Sequence, residues 1–401
     1  MNFERYEGET KTEYLLRLVG YKLDDKSKDI DWQDIVDFCG LEVHRDVLRK
    51  AMQPSDFGAY AIYKYMLEND IEDSDILTKL EEKHLEVKKD IQKLRDLRTG
   101  ENERIRNQAR KEAILEEIRY YLKDIKPYDI PDYKELKQGS TKMIGAIADA
   151  HFGKELCIEG LEGDKLNVYN EFVFYERTEN LFNEYVQIIN EEGISKLYFA
   201  DLSDGVEGLL RNTALQYVKY GITESAIKYG NYMASWLNKL SEYVEIDYYG
   251  CKGNHMEYRI LNGKSGDFGK ENAQYIIDEI IRLSLINNKR VKVNPTKGLQ
   301  YIDVDGYKVL ATHGQEEKNL INSVKEYKEI YDVKIDLMIS GHLHNSRQET
   351  VSLHSKVVQF PSLIGIDDFS MKLKKTAKAE GKAILIKGKR FINIDIELWL
   401  K

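Results

Sequence analysis

The side chains best suited to chemistry fall in five short polar groups. They are Asp149-Ala150-His151, Asp201-Leu202-Ser203-Asp204, Gly253-Asn254-His255, Thr312-His313-Gly314 and Gly341-His342-Leu343-His344. Five of the eight histidines (His151, His255, His313, His342 and His344) lie in these groups, and histidines scattered over a surface would not segregate this way. Carboxylate, imidazole and amide groups together suit Mn, Fe, Zn or related divalent ions rather than an all-oxygen calcium cage or a thiolate zinc site. There are enough ligands for two ions. Two such cations offset by two carboxylates leave a net positive site that attracts phosphate. A bridging water there is acidified from a pKa of about 15.7 toward roughly 7, with the ions about 3.5 to 4 Å apart.

Each polar group follows an apolar run that reads as a strand. Met143 to Ala148 leads to Asp149, and residues two apart on an extended chain point the same way, so Asp149 and His151 can meet one ion. Asp336 to Ser340 repeats the construction, with Gly341 turning the chain before His342 and His344. Leu197 to Phe199, Val244 to Gly250 and Tyr307 to Leu310 precede the other groups. This is the pattern of ligands on loops at the strand ends of an α/β sheet. Helical spacing over Tyr175 to Asn190, Gly221 to Leu240 and Asn272 to Leu285, with strand pairs hinged at Asp305-Gly306 and Gly388-Lys389, completes a layered sheet-and-helix domain over residues 142–401.

Residues 1–72 read as a helical domain. Lys11 to Tyr21 and Phe57 to Leu67 have helical patterns, and Asp31 to Lys50 has the outline of a helix-turn-helix with Gly40 at the turn. In that reading His44, Arg45, Arg49 and Lys50 face solvent or phosphate while Val43, Val47 and Leu48 pack inward. Glu42 and Asp46 favour instead a small three-helix domain without that role. Residues 73–126 turn to Glu, Lys, Arg, Leu and Ile, and Leu77, Leu80, His84, Val87, Ile91 and Leu94 follow coiled-coil steps that Leu115, Ile118 and Leu122 resume. Thr99-Gly100 leaves one long helix or a hairpin open, and the segment is either a solvated spacer or a homodimerisation arm. Pro127 and Pro131 fall in a linker, residues 127–141.

With 401 residues, 42% of them hydrophobic, the chain can fill at least one sizeable core. Cys39, Cys157 and Cys251 are odd in number and widely spaced, which suggests reduced thiols and a cytoplasmic protein. No apolar run is long enough to span a bilayer and the polar start does not read as a signal peptide, so no membrane role is expected. A net charge of -9 argues against coating nucleic acid indiscriminately but leaves room for a local basic groove.

The order Asp-x-His, Asp-x-x-Asp, Gly-Asn-His, His, Gly-His-x-His resembles the calcineurin-like metallophosphoesterase superfamily over about the last two thirds of the chain. The resemblance implies two divalent ions, Mn foremost, with Fe, Zn, Ni or Mg also accommodated. It implies that Asp149, His151 and His344 hold the first ion, that Asn254, His313 and His342 hold the second, and that Asp201 bridges them. His255 would be the general acid, oriented by Asp204. Ala200 departs from the family's Gly before the bridging Asp. Met256 departs from its acidic residue after Gly-Asn-His, which leaves Asp204 and the adjacent Glu257 to support His255. Arg211, Asn212, Lys252 and Arg259 lie beside the groups as candidates to hold substrate phosphate or as ordinary surface residues. With the helical front end, the chain is similar to phage-encoded phosphoesterases described as DNA repair exonucleases, and its catalytic part to SbcD-type nucleases. That implies a phosphodiesterase acting on nucleic acid, DNA foremost, in a host cytoplasm. The other readings are a phosphatase or cyclic-nucleotide phosphodiesterase, and a DNA- or protein-binding regulator built on the same scaffold.

Overall fold

The computed structural model describes every residue except 1, 53–57, 69–72, 124, 209–216, 259–270, 373, 375, 389, 400 and 401, and omits the side chains of 73–84, 97, 99, 100, 103, 104, 107, 110, 111 and 369. Two compact units divide the chain, Met1–Glu103 and Arg104–Lys401.

In the first unit, Thr10 and Glu13 form a reciprocal capping box that starts α1 (Lys11–Leu23), and Asp31 and Asp34 do the same for α2 (Trp32–Phe38). Next come α3 (Arg45–Met52) and α4 (Ala59–Glu68). Leu18, Val19, Ile30, Ile35, Leu48 and Tyr60 are buried together. Gly40 takes φ 54° in the turn between α2 and α3. Contrary to the inward packing expected of them, Val43 is 44% and Val47 57% exposed. Val43 precedes the helix, and the inner stripe of so short a helix runs through Leu48 and Met52, four residues apart, leaving Val47 to the side. The alternatives left open at Thr99-Gly100 resolve as one helix, α5 (Asp73–Lys123), along which Leu85, Ile91 and Leu94 are exposed.

The second unit takes its layers from strand alternation. Its elements in order are β1 (Lys142–Ile147), β2 (Leu156–Glu159), β3 (Lys165–Tyr169), α6 (Glu171–Glu192), β4 (Lys196–Asp201), α7 (Ile222–Leu240), β5 (Glu245–Gly250), α8 (Gln274–Ser284) and β6 (Val291–Val293). There follow β7 (Leu299–Val304), β8 (Tyr307–Thr312), α9 (Leu320–Tyr331), β9 (Leu337–Ser340), β10 (Arg347–Ser352), β11 (Ser355–Gln359), α10 (Asp368–Lys372), β12 (Glu380–Lys387) and β13 (Arg390–Glu397). One sheet has the order β13-β12-β1-β4-β5-β6, with β1, β4, β5 and β6 parallel; the other has the order β10-β11-β9-β8-β7, with β11, β9 and β8 parallel.

Met143 and Ile147 of β1, with Leu197 and Phe199 of β4, face α6, α7 and α8. Ile144, Ala146, Tyr198 and Ala200, one residue out of phase, face Val309, Ala311, Leu337 and Ile339 of the second sheet. Val324 of α9 covers the outer face of that sheet against Leu310 and Met338. The result is an α/β sandwich of helix, sheet, sheet and helix layers. The five polar groups sit on loops at the C-terminal ends of β1, β4, β5, β8 and β9, which end together: Leu202 N–H donates to Ile147, Cys251 N–H to Asp201, and Gly341 N–H to His313. Among the described residues no helix is long and apolar enough to cross a membrane. Cys39, Cys157 and Cys251 are free thiols.

Candidate metal centre

Six non-glycine residues at these strand ends lie in the left-handed region: Asp149 (φ 48°), His151 (45°), Ser203 (75°), Asp204 (52°), His342 (71°) and His344 (62°). Each such residue costs on the order of 1 to 3 kcal/mol and persists only where its surroundings fix it. Here they do. Asp149 N–H donates to Ser203 O (3.1 Å) and His151 N–H to Asp204 O (2.9 Å). His342 N–H donates to Asp149 Oδ2 (2.8 Å), tying the two sheets together at the site. Two glycines are required by close approach: a Cβ at Gly253 would lie 2.3 Å from Asp204 Oδ1, and one at Gly341 would lie 2.9 Å from Asp149 Oδ2.

The left-handed turns aim side chains inward. Ligand atoms of Asp149, His151 and His344 lie within 4.8 Å of one another, as do those of Asp204, His313 and His342. Asn254 Oδ1 stands 3.1 Å from His313 Nε2, so it joins the second group. Asp149, His151, Asp204 and His313 are almost wholly buried. His151 Nε2 and His344 Nδ1 have no hydrogen-bond partner, and Asp149 Oδ1 meets only His344 Nε2, 3.5 Å away. Buried polar atoms left unpaired in this way are costly, and several that converge are a fitting environment for a divalent cation. His313 Nδ1 faces Leu202 O (2.7 Å), which leaves Nε2 facing Asp204, Asn254 and His342.

The electrostatics fit as well. Burial opposes charge on Asp149, but His344, His313 and His151 hold its carboxyl well below the usual range. Burial also opposes charge on His313, yet Asp204, 2.8 Å away, lifts its pKa to about 9. Burial, and then the neighbouring His313, push His342 down to about 4.

The acidic residue brought into the second group is Asp204, and Asp201 is not. Asp201 pairs in register with Ile147, whose side chain is in the helix-facing core, and strand alternation continues through it. Its Oδ2 accepts from Tyr229, Gln274 and Tyr248 (3.2, 3.3 and 3.4 Å), while Oδ1 accepts from Ser203 N–H. The turn at Ser203 and Asp204 then re-aims the next carboxylate. Asp204 likewise reaches His255 through the backbone, its Oδ1 accepting from His255 N–H (3.0 Å). The carboxylate beside the His255 ring belongs to Glu207, whose Oε1 lies 3.2 Å from His255 Nδ1 and whose Oε2 lies 2.7 Å from His151 Nδ1. Sequence reasoning passed over Glu207. The available signal was the repeated spacing, since Asp201, Asp204 and Glu207 are each three residues apart.

Lys154 completes this side of the site, 3.4 Å from Glu207 Oε2 and 2.9 Å from Asp367 Oδ2. Met256 is buried in the helix-facing core rather than beside the ligands. Lys252 lies toward the Tyr275 ring, 5.9 Å from its centroid. Arg211, Asn212 and Arg259 fall outside the described residues.

Behind Asp201 lies Asp278, its carboxylate accepting from Tyr248 (2.8 Å), Gln274 (2.8 Å) and Thr296 (2.6 Å). Burial raises Asp201 to about 6 and Asp278 to about 7. With a folded pKa above the unfolded one, Asp278 favours folding below about pH 4, and that contribution is lost as pH rises through about 7. Asp278→Asn removes the dependence. Its melting temperature relative to wild type should therefore rise by roughly 4 to 8 °C between pH 5 and pH 8, which calorimetry in the two buffers would measure.

No family model matches the chain. The SPbeta prophage-derived uncharacterized protein YonJ of Bacillus subtilis (strain 168) is 26% identical over 385 residues, covering 94% of this chain and 93% of that protein. Among solved structures, an archaeal phosphodiesterase aligns with a TM-score of 0.30 at 13% identity, over 63% of this chain and 99% of that one. A conserved uncharacterized protein of Streptococcus pneumoniae TIGR4, described as a predicted phosphoesterase, aligns with a TM-score of 0.30 at 11% identity, over 65% and 91%. Zinc-complexed Vps29 of Entamoeba histolytica aligns with a TM-score of 0.28 at 9% identity, over 64% and 99%.

Proposed function

We propose that this chain is a metal-dependent phosphodiesterase that hydrolyses nucleic-acid phosphodiester bonds, DNA foremost, with Mn as its preferred ion. The observation that carries the reading is the convergence of Asp149, His151, Asp204, Asn254, His313, His342 and His344, from five strand ends, with buried ligand atoms left unpaired. Divalent ions held there would acidify a water and offset the charge that builds on phosphate during an in-line displacement. The chain's own residues do the rest. Asp149, His151 and His344 fix one side of the pocket, and Asp204, Asn254, His313 and His342 the other. Glu207 fixes the His255 ring through Nδ1, which leaves Nε2 to give its proton to the departing oxygen. The prophage origin in the name of the 26% identical relative supports a host-cytoplasmic setting.

The test is digestion of end-labelled single- and double-stranded DNA and RNA across a metal series, beside bis-aryl and mono-aryl phosphate esters. Mn-dependent loss of labelled DNA, with the bis-aryl ester cleaved faster than the mono-aryl one, is expected. Hydrolysis of monoesters alone would overturn the reading.

A further inference from the structure

The link from β11 to β12, residues 361–379, is fastened to the site along its first half. Ser362 N–H donates to His344 O (3.1 Å), Leu363 N–H to Ala148 O (3.1 Å) and Ile364 N–H to Asp149 O (3.4 Å). Arg177 Nη1, buried beneath, donates to Leu363 O (2.9 Å) and Ile364 O (2.8 Å), and Asn167 Nδ2 to Ile364 O and Ile366 O. Asp367 then pairs with Lys154, itself beside Glu207, and accepts from Ser370 at the start of α10. Because β12 runs antiparallel to β1, with Gly145 opposite Ala383, the link also returns to the edge where Asp149 sits.

Among the described residues of the link, the exposed charged side chains are lysines. Lys372 and Lys374 are exposed, and neither has an ion-pair partner among the described residues. Lys378 pairs with Glu397. Asp367, the buried acid of the link, is already neutralised by Lys154, which leaves Asp368, half-buried, at the head of α10. On a chain with a net charge of -9, two unpaired lysines beside the catalytic pocket stand against the general repulsion of a polyanion. The five residues of α10 span about 7 Å at 1.5 Å per residue, and phosphates recur about every 3.4 Å along a strand. Lys372, at the far end of α10, therefore lies within about two or three phosphate spacings of Asp367, which Lys154 ties to Glu207 at the site.

We propose that Lys372 and Lys374 form a phosphate-backbone contact for a polynucleotide strand lying across the site edge. This rests on the nuclease reading and adds where the strand runs. The experiment compares the Mn-loaded Lys372→Glu/Lys374→Glu double variant with wild type, using Lys325→Glu on the outer face of α9 as control. The readouts are anisotropy with a labelled 30-nucleotide single strand, KM and kcat on that strand at several salt concentrations, and turnover of a bis-aryl phosphate.

DNA affinity should fall on the order of tenfold, with the log-log salt slope flattened by about 1.4, as loss of two single-strand phosphate contacts requires. KM on the strand should rise in step while kcat, and turnover of the short diester, stay within about twofold. Unchanged affinity and slope in a protein that does cleave DNA would overturn the lysine assignment and leave the nuclease reading standing. Lost affinity in a protein that cleaves only the aryl diester would uphold the lysine contact and overturn the nuclease reading.

Discussion

Asp204→Asn is expected to lower kcat/KM on a bis-aryl phosphate by about a thousandfold or more, and Asp201→Asn to stay within about tenfold of wild type. Asp204 Oδ2 is 2.8 Å from His313 Nε2, its Oδ1 holds the His255 backbone, and its ligand atom converges with those of His313 and His342. The amide would remove the negative charge that sits against His313 in that group. A ligand contribution worth several kcal/mol corresponds to a thousandfold at about 4 kcal/mol. Asp201, in contrast, stands one layer back among Tyr229, Tyr248 and Gln274, where burial has already raised its pKa to about 6. A neutral amide there removes a charge that burial already disfavours, and it perturbs the site only through Ser203. Metal content after gel filtration provides a second readout: Asp204→Asn should lose ions and Asp201→Asn should retain them. The reverse pattern would mean that the Asp201 carboxylate is the one the ions use.

Most of what positions the site was legible in the sequence because alternation and strand-end punctuation are local signals. Met143 to Ala148, Leu197 to Phe199, Val244 to Gly250 and Asp336 to Ser340 all became strands, and Asp305-Gly306 and Gly388 lie between paired strands, Lys389 falling outside the described residues. The hairpin of β2 and β3 went unseen because Leu156-Cys157-Ile158-Glu159 and Lys165-Leu166-Asn167-Val168-Tyr169 are short and bury few positions. Strand β10, Arg347-Gln348-Glu349-Thr350-Val351-Ser352, is an edge strand with no fully buried residue and so carries no apolar period. Which of three equally spaced acids face the clustered histidines was undecidable without register. The pairing of Ile147 with Asp201 turns Asp201 toward the helix-facing core, and neither residue alone announces that pairing. The inward aim of the ligands depends on left-handed backbone at Asp149, His151, Asp204, His342 and His344, which no periodicity foretells.

His255→Ala should divide substrates by leaving group. The His255 ring is anchored at Nδ1 by Glu207 and lies edge-on to the His151 ring, with centroids 4.7 Å apart. Burial disfavours its charged form, but Asp204 and Glu207 more than compensate and raise its pKa, which favours the protonated ring. An alkoxide leaving from DNA needs that proton, and removing the donor should cost kcat about 10² to 10⁴. An aryl oxide leaves without it, so kcat on a bis-aryl diester should fall by less than about tenfold. Equal losses on both substrates would assign His255 to substrate or ion binding instead. Glu207→Gln sharpens the distinction because Glu207 touches two histidines at once. Losing its hold on His151 should weaken ion affinity roughly 10- to 100-fold, a deficit that excess Mn reverses. Losing its hold on His255 should leave a residual defect on DNA that no amount of Mn restores and that the aryl substrate does not show. Complete rescue of DNA cleavage by Mn would mean that Glu207 serves His151 alone.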